Sequence, residues 1–95
     1  MKEPAPLVHV IVVTFNGLRH LEGCFRSLRE TRYPNFRVVL VDNASGDGSS
    51  DYTRTHFPEV HVLRLETNLG FAGGNTRAME AAIADGADYV LLLND

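Results

Sequence analysis

The chain has 95 residues, enough for one domain and no more. Hydrophobic residues make up 44% and charged residues 22%, the balance of an ordinary globular protein. Nine Lys and Arg against twelve Asp and Glu leave a net charge of −3, which excludes a general attraction to nucleic acid or to an anionic membrane.

The start, Met1 to Pro6, is short, polar and proline-bearing. It reads as a flexible lead-in and has the character of neither a signal nor a transit peptide. The first apolar run, Leu7 to Thr14 (LVHVIVVT), is rich in β-branched residues and nearly continuous, as expected of a strand buried on both faces. Phe15, Asn16 and Gly17 break it. Leu18, Leu21, Phe25 and Leu28 then recur at helical spacing, predicting a helix to about Thr31. Tyr33-Pro34-Asn35 stops that helix, because the residue before a proline is pushed out of the α region.

A second strand is predicted over Arg37 to Asp42 (RVVLVD). Asn43 to Ser50 (NASGDGSS) is loop chemistry, and Ser49, Ser50 or Asp51 can cap a short helix that reaches His56 before Pro58. The third strand, Val60 to Glu66, alternates more clearly and so belongs nearer a sheet edge. A glycine-rich join follows, and a helix is expected from near Asn75 with an apolar stripe of Ala78, Met79, Ala82 and Ile83. Gly86 suits the position just past that helix. The last strand runs from Tyr89 to Asp95 (YVLLLND).

The order βαβαβαβ predicts an α/β fold: a Rossmann-like three-layer α/β/α arrangement with a mainly parallel sheet. VLLL is as apolar as a central strand, yet the sequence stops two residues later. An exposed edge of that kind favours self-association. The expectation is a truncated chain, residues 1–95 forming one unit that is incomplete at its C-terminal side. The alternative is a small domain whose last strand a partner covers.

Few residues suggest other chemistry. The single cysteine, Cys24, rules out a disulfide framework and falls on an apolar helical face, where it packs. His9, His20, His56 and His61 show no metal-binding spacing. The first strand-to-helix turn, TFNGLRHLE, is not GxGxxG, and no GxxxxGK[ST] occurs.

In open α/β sheets ligands bind beyond the carboxyl ends of the strands. There the sequence places Thr14, Phe15, Asn16 and Gly17, then Asp42 to Gly48, then Thr67 to Phe71, then Asn94 and Asp95. Four polar, glycine-bearing loops at one rim suit a ligand with several hydrogen-bonding edges, and a nucleotide fits. Asp42 can accept from a base N–H or a ribose hydroxyl, or it can make an Asx-turn. For Asp47 the turn is the better reading. Gly46 and Gly48 permit close backbone approach.

VIVVTFNG, VVLVDNASGDGS, NLGFAGGNTRAM and LLLND, in that order at successive strand ends, resemble the N-terminal half of the family 2 glycosyltransferases. NLGFAGG is similar to the rhamnosyltransferase-like and galactofuranosyltransferase-like branches. The resemblance spans about Val8 to Asp95 and implies the GT-A fold. It implies inverting transfer of a sugar from a nucleotide diphosphate sugar, UDP- or dTDP-linked, to a hydroxyl of a saccharide or lipid-linked acceptor. It places Thr14, Phe15, Asn16, Asp42 and Asn43 around the nucleotide, and Asn68, Gly70, Phe71 and Gly74 under the nucleotide-sugar.

The resemblance further implies a divalent metal, Mn²⁺ or Mg²⁺, held by a DxD-type motif at the end of the last strand. Here Asn94 stands where the first acid is usual, Asp95 is the middle residue and a metal-ligand candidate, and the second acid would follow it. The catalytic base also lies beyond residue 95, so the chain alone is expected to transfer little or nothing. A location in the cytoplasm or at the inner membrane face follows. The rival readings are a nucleotidyltransferase and an inert or merely nucleotide-binding fragment. Gly70, Gly73 and Gly74 either let a loop pass close under the donor, with helix amides near Gly74 and Asn75 facing phosphate, or let the helix pack tightly on the sheet. Arg77 is expected to face water.

Overall fold

The computed structural model describes residues 5–94, with the side chain of Asn94 left out; Asp95, the expected metal ligand, lies outside them. Four parallel strands form one sheet in the order β3-β2-β1-β4, comprising β1 (Val8–Thr14), β2 (Phe36–Asp42), β3 (His61–Arg64) and β4 (Tyr89–Asn94). Between them run α1 (Leu18–Arg29), α2 (Ser49–His56) and α3 (Gly70–Ala84). The parallel α/β architecture matches the expectation, and β3 is at an edge as its alternation implies.

Strand alternation divides the core in two. Val10, Val12, Val38 and Leu40 meet Leu21 and Phe25 of α1 and Phe57 after α2. Ile11, Val13, Val39 and Val41 meet Ala78 of α3 on the other face. Helices therefore cover both faces, which is why β1 and β2 read as continuous apolar runs. Phe25 and Phe57 pack with ring centroids 5.3 Å apart, and the Arg29 guanidinium lies 4.3 Å from the Phe57 centroid. Cys24 packs against this cluster.

Three boundaries differ from the expectation. The third strand holds only His61–Arg64, the four residues that pair with Val39–Asp42 of β2. The second helix is capped not by Ser49, Ser50 or Asp51 but by Gly48, with the Asp47 carboxylate accepting from the Ser49 amide at 3.1 Å. The third helix begins at Gly70 rather than near Asn75. Its buried side is Gly74, Asn75, Ala78 and Ala82, while Met79 is 38% and Ile83 77% exposed. Small residues bring α3 close to the sheet, and the two large ones of the expected stripe turn away from it.

The chain runs outward from β1 to β2 and β3, then crosses over α3 to β4 on the other side of β1. A reversal of this kind opens a crevice at the carboxyl ends of the strands beside β1. Among the described residues no helix is long and apolar enough to cross a membrane.

Candidate functional site

The strand ends align in register across the rim: Val13 with Asn94, Thr14 with Asp42, and Asp42 with Arg64. The two loops after β1 and β2 are laced together. The Asn16 amide donates to Ser45 Oγ at 2.9 Å, and the Gly46 amide donates to Asn16 Oδ1 at 2.8 Å. Asn16 sits at φ 54, in the left-handed region that Asn tolerates better than most residues. Asp47 Oδ2 accepts from the Leu18 amide at 3.1 Å, so a carboxylate in the second loop satisfies the first free amide of α1. Asp47 Oδ1 also takes the Ser49 hydroxyl at 2.5 Å. Partial burial pushes the Asp47 pKa up, but the bonds from Ser49 and Leu18 outweigh it and hold the carboxyl below its ordinary value.

Asp42 is 0% exposed. Its Oδ1 accepts from the Ser45 amide at 2.9 Å, and its Oδ2 accepts from Ser50 Oγ at 2.5 Å and Arg64 Nη1 at 2.9 Å. Arg64 Nη2 also donates to the Ser45 carbonyl at 3.0 Å. Burial pushes the Asp42 pKa up. The hydrogen bonds from Ser45 and Ser50 and the charge of Arg64 outweigh that and leave it lowered. Of the two roles open to Asp42, the turn is present here, with both oxygens occupied by the chain itself.

Asn43, 2% exposed, reaches the other way. Its Oδ1 accepts from the Leu69 amide at 3.1 Å and its Nδ2 donates to the Gly70 carbonyl at 3.0 Å. This bidentate clamp fixes where α3 starts, and Asn68 Oδ1 adds a bond from the Gly70 amide at 2.7 Å. Glycine disfavours helix by about 1 kcal/mol relative to Ala. The clamp and the packing of α3 override that preference. A Cβ on Gly74 would stand 3.0 Å from Val13 Cγ1 and 3.1 Å from Asn43 Nδ2, and one on Gly73 would stand 2.7 Å from Leu69 Cβ. Residues 70–74 thus open a helix, in which Gly74 is pressed on β1 and β2 while Gly73 faces Leu69 at the helix's own start.

A cleft of about 190 Å³ opens at this rim, lined by Val13, Thr14, Phe15, Asn43, Asn68, Gly70 and Phe71. Six of the residues expected around the ligand therefore share one cleft. Asn16 and Asp42 stand behind it in the loop network, and Gly74 lies beneath, against the sheet. Asn94 ends β4 in register with Val13. The sequence reading gave Arg64 no role and placed Ser45 and Ser50 only in a loop and a helix cap, although an arginine at a strand end beside Asp42 was a usable signal. A second depression of about 370 Å³, lined by Ser45, Gly46, Gly48, Ser50, Asp51 and Arg64, lies on the far side of the same loop.

Among the described residues no three His, Cys, Asp or Glu side chains converge as a metal would need. Asp42, at the end of β2, is committed to Arg64. The described residues on their own do not make a metal centre.

The sequence model of glycosyl transferase family 2 matches residues 9–95. TuaG of Bacillus subtilis, named for teichuronic acid biosynthesis, is 31% identical over 80 residues, which cover 81% of this chain and 32% of TuaG. A mannosyltransferase of Pyrobaculum calidifontis, solved with GDP-Man and Mn²⁺, superposes with a TM-score of 0.73 at 29% identity over 85% of this chain and 28% of its own. TarS of S. aureus, residues 1–349 with UDP, superposes with a TM-score of 0.80 at 27% identity over 92% of this chain and 26% of its own. This chain therefore spans about a third or less of the proteins it resembles, and it belongs to glycosyl transferase family 2.

Proposed function

We propose that residues 1–95 supply the donor-nucleotide part of a GT-A glycosyltransferase. The complete enzyme would move a sugar from a UDP- or dTDP-sugar to a hydroxyl of a saccharide or lipid-linked acceptor, with inversion. The observation that carries this reading is the single cleft shared by Thr14, Phe15, Asn43, Asn68, Gly70 and Phe71 at the carboxyl end of β1. The complexes of two structural neighbours, one with GDP-Man and one with UDP, support a nucleotide there.

In this reading Thr14, Phe15, Asn68 and Phe71 face the nucleotide. Asp42, Asn43 and Asn16 hold the loops that present them, and Gly74 lets α3 approach. A divalent metal would bind with the donor, through its phosphates and Asp95 together with acids after it; the neighbour's Mn²⁺ supports this. The metal's contribution is to neutralise the leaving diphosphate. The cytoplasm, where nucleotide sugars are made, is the proposed location. Tyr89, Val90, Leu91 and Leu92, 39% to 64% exposed, make the free edge of β4 the place where the chain would self-associate.

A thermal-shift panel with UDP, dTDP, GDP, ADP and NAD, each with and without Mn²⁺, tests the reading. A ligand at 100 times its Kd stabilises by about 2.7 kcal/mol. A shift with UDP or dTDP and none with NAD is expected. No shift with any nucleotide, from folded protein, would overturn the donor site.

A further inference from the structure

We propose, resting on the donor-site reading, that Arg64 is a positioning residue: through Ser45 it holds the loop after β1 in the shape that presents Thr14 and Phe15 to the nucleotide.

Arg64 stands apart from the cleft. It ends β3, which β2 separates from β1, and it lines the depression on the far side of the loop after β2. Its guanidinium forks. Nη1 donates to Asp42 Oδ2 at 2.9 Å and Nη2 donates to the Ser45 carbonyl at 3.0 Å. The second arm is more than charge balance. Asp42 already accepts from the Ser45 amide and the Ser50 hydroxyl, and a lysine would supply the same counter-charge. What only the planar fork supplies is a fixed angle between a buried carboxylate and a loop carbonyl.

Ser45, 3% exposed, is where the two loops meet. Its amide donates to Asp42, its carbonyl accepts from Arg64 and its hydroxyl accepts from the Asn16 amide. The next residue, Gly46, donates its amide to Asn16 Oδ1. Asn16 is therefore gripped by both its backbone and its side chain. Its left-handed φ of 54 is costly for a residue with a Cβ, so the surrounding bonds must hold it there.

Only Phe15, Asn16 and Gly17 separate β1 from α1, so a shift of Asn16 carries Phe15 with it. Thr14 and Phe15 line the cleft. A continuous path thus runs from the Arg64 guanidinium, through one serine, to the residues that face the ligand. A loop that had to be ordered on binding would subtract that cost from affinity.

The test is calorimetric titration with UDP, alongside thermal melts, of the 95-residue chain and of Arg64→Lys, Ser45→Ala, the double variant and Val60→Ala. Arg64→Lys keeps the charge beside Asp42 and loses the fork. It should melt within a few degrees of the parent and yet bind UDP roughly 2- to 12-fold more weakly. Ser45→Ala removes the acceptor of the Asn16 amide and should weaken UDP by a similar factor. The double variant should bind no more weakly than Ser45→Ala, because both changes cut one path. Val60→Ala truncates the core just before β3, away from these bonds, and should lower the melting temperature while binding UDP as the parent does. Arg64→Lys binding UDP like the parent, losses that add in the double variant, or affinity that falls with melting temperature in Val60→Ala as well would each overturn the positioning role and leave the donor site standing. A folded parent that binds no UDP would overturn both.

Discussion

Arg64 Nη1 lies 2.9 Å from the fully buried carboxylate of Asp42, and the two residues occupy paired positions at the ends of neighbouring strands. One is a half-exposed cation and the other a sealed anion, so the pair is asymmetric. Removing Arg64 leaves Asp42 with its Ser45 and Ser50 donors but without a counter-charge. Breaking a buried pair costs about 3–5 kcal/mol. Here the arginine side chain is 45% exposed, so solvent screening reduces that figure. Arg64→Met should destabilise by about 1–3 kcal/mol, read as a lower midpoint in urea. Asp42→Asn should cost at least as much, because an amide would turn a donor toward Arg64. An Arg64→Met midpoint equal to the parent's would show that the ion pair contributes nothing.

The same carboxylate sets an acid limit. Its pKa is lowered in the folded state, so its contribution is fully present above the unfolded value near 4 and is lost as pH falls through the lower folded value. Asp47, also lowered, acts in the same direction. The parent should therefore lose stability steeply below about pH 4. Asp42→Asn should be weaker at pH 7 yet show a shallower acid dependence, and the two curves should converge as pH drops. Curves that stayed parallel would remove Asp42 from the account.

Much of this architecture was legible in the residues. Periodicity placed the four strands and two of the helices, capping residues and Pro58 placed the third, and the polar strand ends pointed to the rim where the cleft lies. What escaped was tertiary. The one local cue to a helix start in NLGFAGGN is Asn68, which accepts from the Gly70 amide; the other two side-chain bonds come from Asn43, 26 residues upstream of Leu69. From sequence Asp42 reads equally as a ligand contact or a turn residue, and only the positions of Ser45, Ser50 and Arg64 show its oxygens engaged within the chain. Met79 and Ile83 fitted a helical stripe, yet the tight approach allowed by Gly74, Ala78 and Ala82 rotates that stripe toward the small residues.

The tight approach itself can be tested at Gly74. Alanine there would improve helix propensity by about 1 kcal/mol, but its Cβ would sit 3.0 Å from Val13 Cγ1 and 3.1 Å from Asn43 Nδ2. Overpacking costs about 1–3 kcal/mol. Gly74→Ala should be destabilising by about 1 kcal/mol net. Pairing it with Val13→Ala should recover part of the loss, which a double-mutant cycle would register as coupling. A stabilised Gly74→Ala would mean that α3 shifts freely and that propensity dominates.

Asp47 offers a test of long-range capping. Its two oxygens serve the Leu18 amide of α1 and the Ser49 amide and hydroxyl of α2. Loss of a single cap costs about 0.5–2 kcal/mol. Asp47→Ala should lie at the upper end of that range because two helix starts lose their acceptor. Asp47→Asn keeps one acceptor oxygen and should recover about half. Equal stability of parent and Asp47→Ala would show that water replaces the carboxylate at both sites.

Asn43→Asp separates shape from hydrogen-bond direction at the α3 start. The substitution is nearly isosteric, and one carboxylate oxygen can still accept from the Leu69 amide. The other oxygen would face the Gly70 carbonyl at the 3.0 Å now spanned by a donated N–H, setting two acceptors against each other. An unmet buried polar group costs about 1–3 kcal/mol, more when charged. Asn43→Asp should melt below the parent at pH 7. Part of the loss should return near pH 4, where the protonated acid can donate to Gly70 again. Because Phe71 follows directly after the clamped residue, UDP affinity should fall with the melting temperature and recover with it. A variant that kept parental stability at pH 7 would show that the bond to Gly70 does not fix the helix start, and the Leu69 amide alone would then have to hold it.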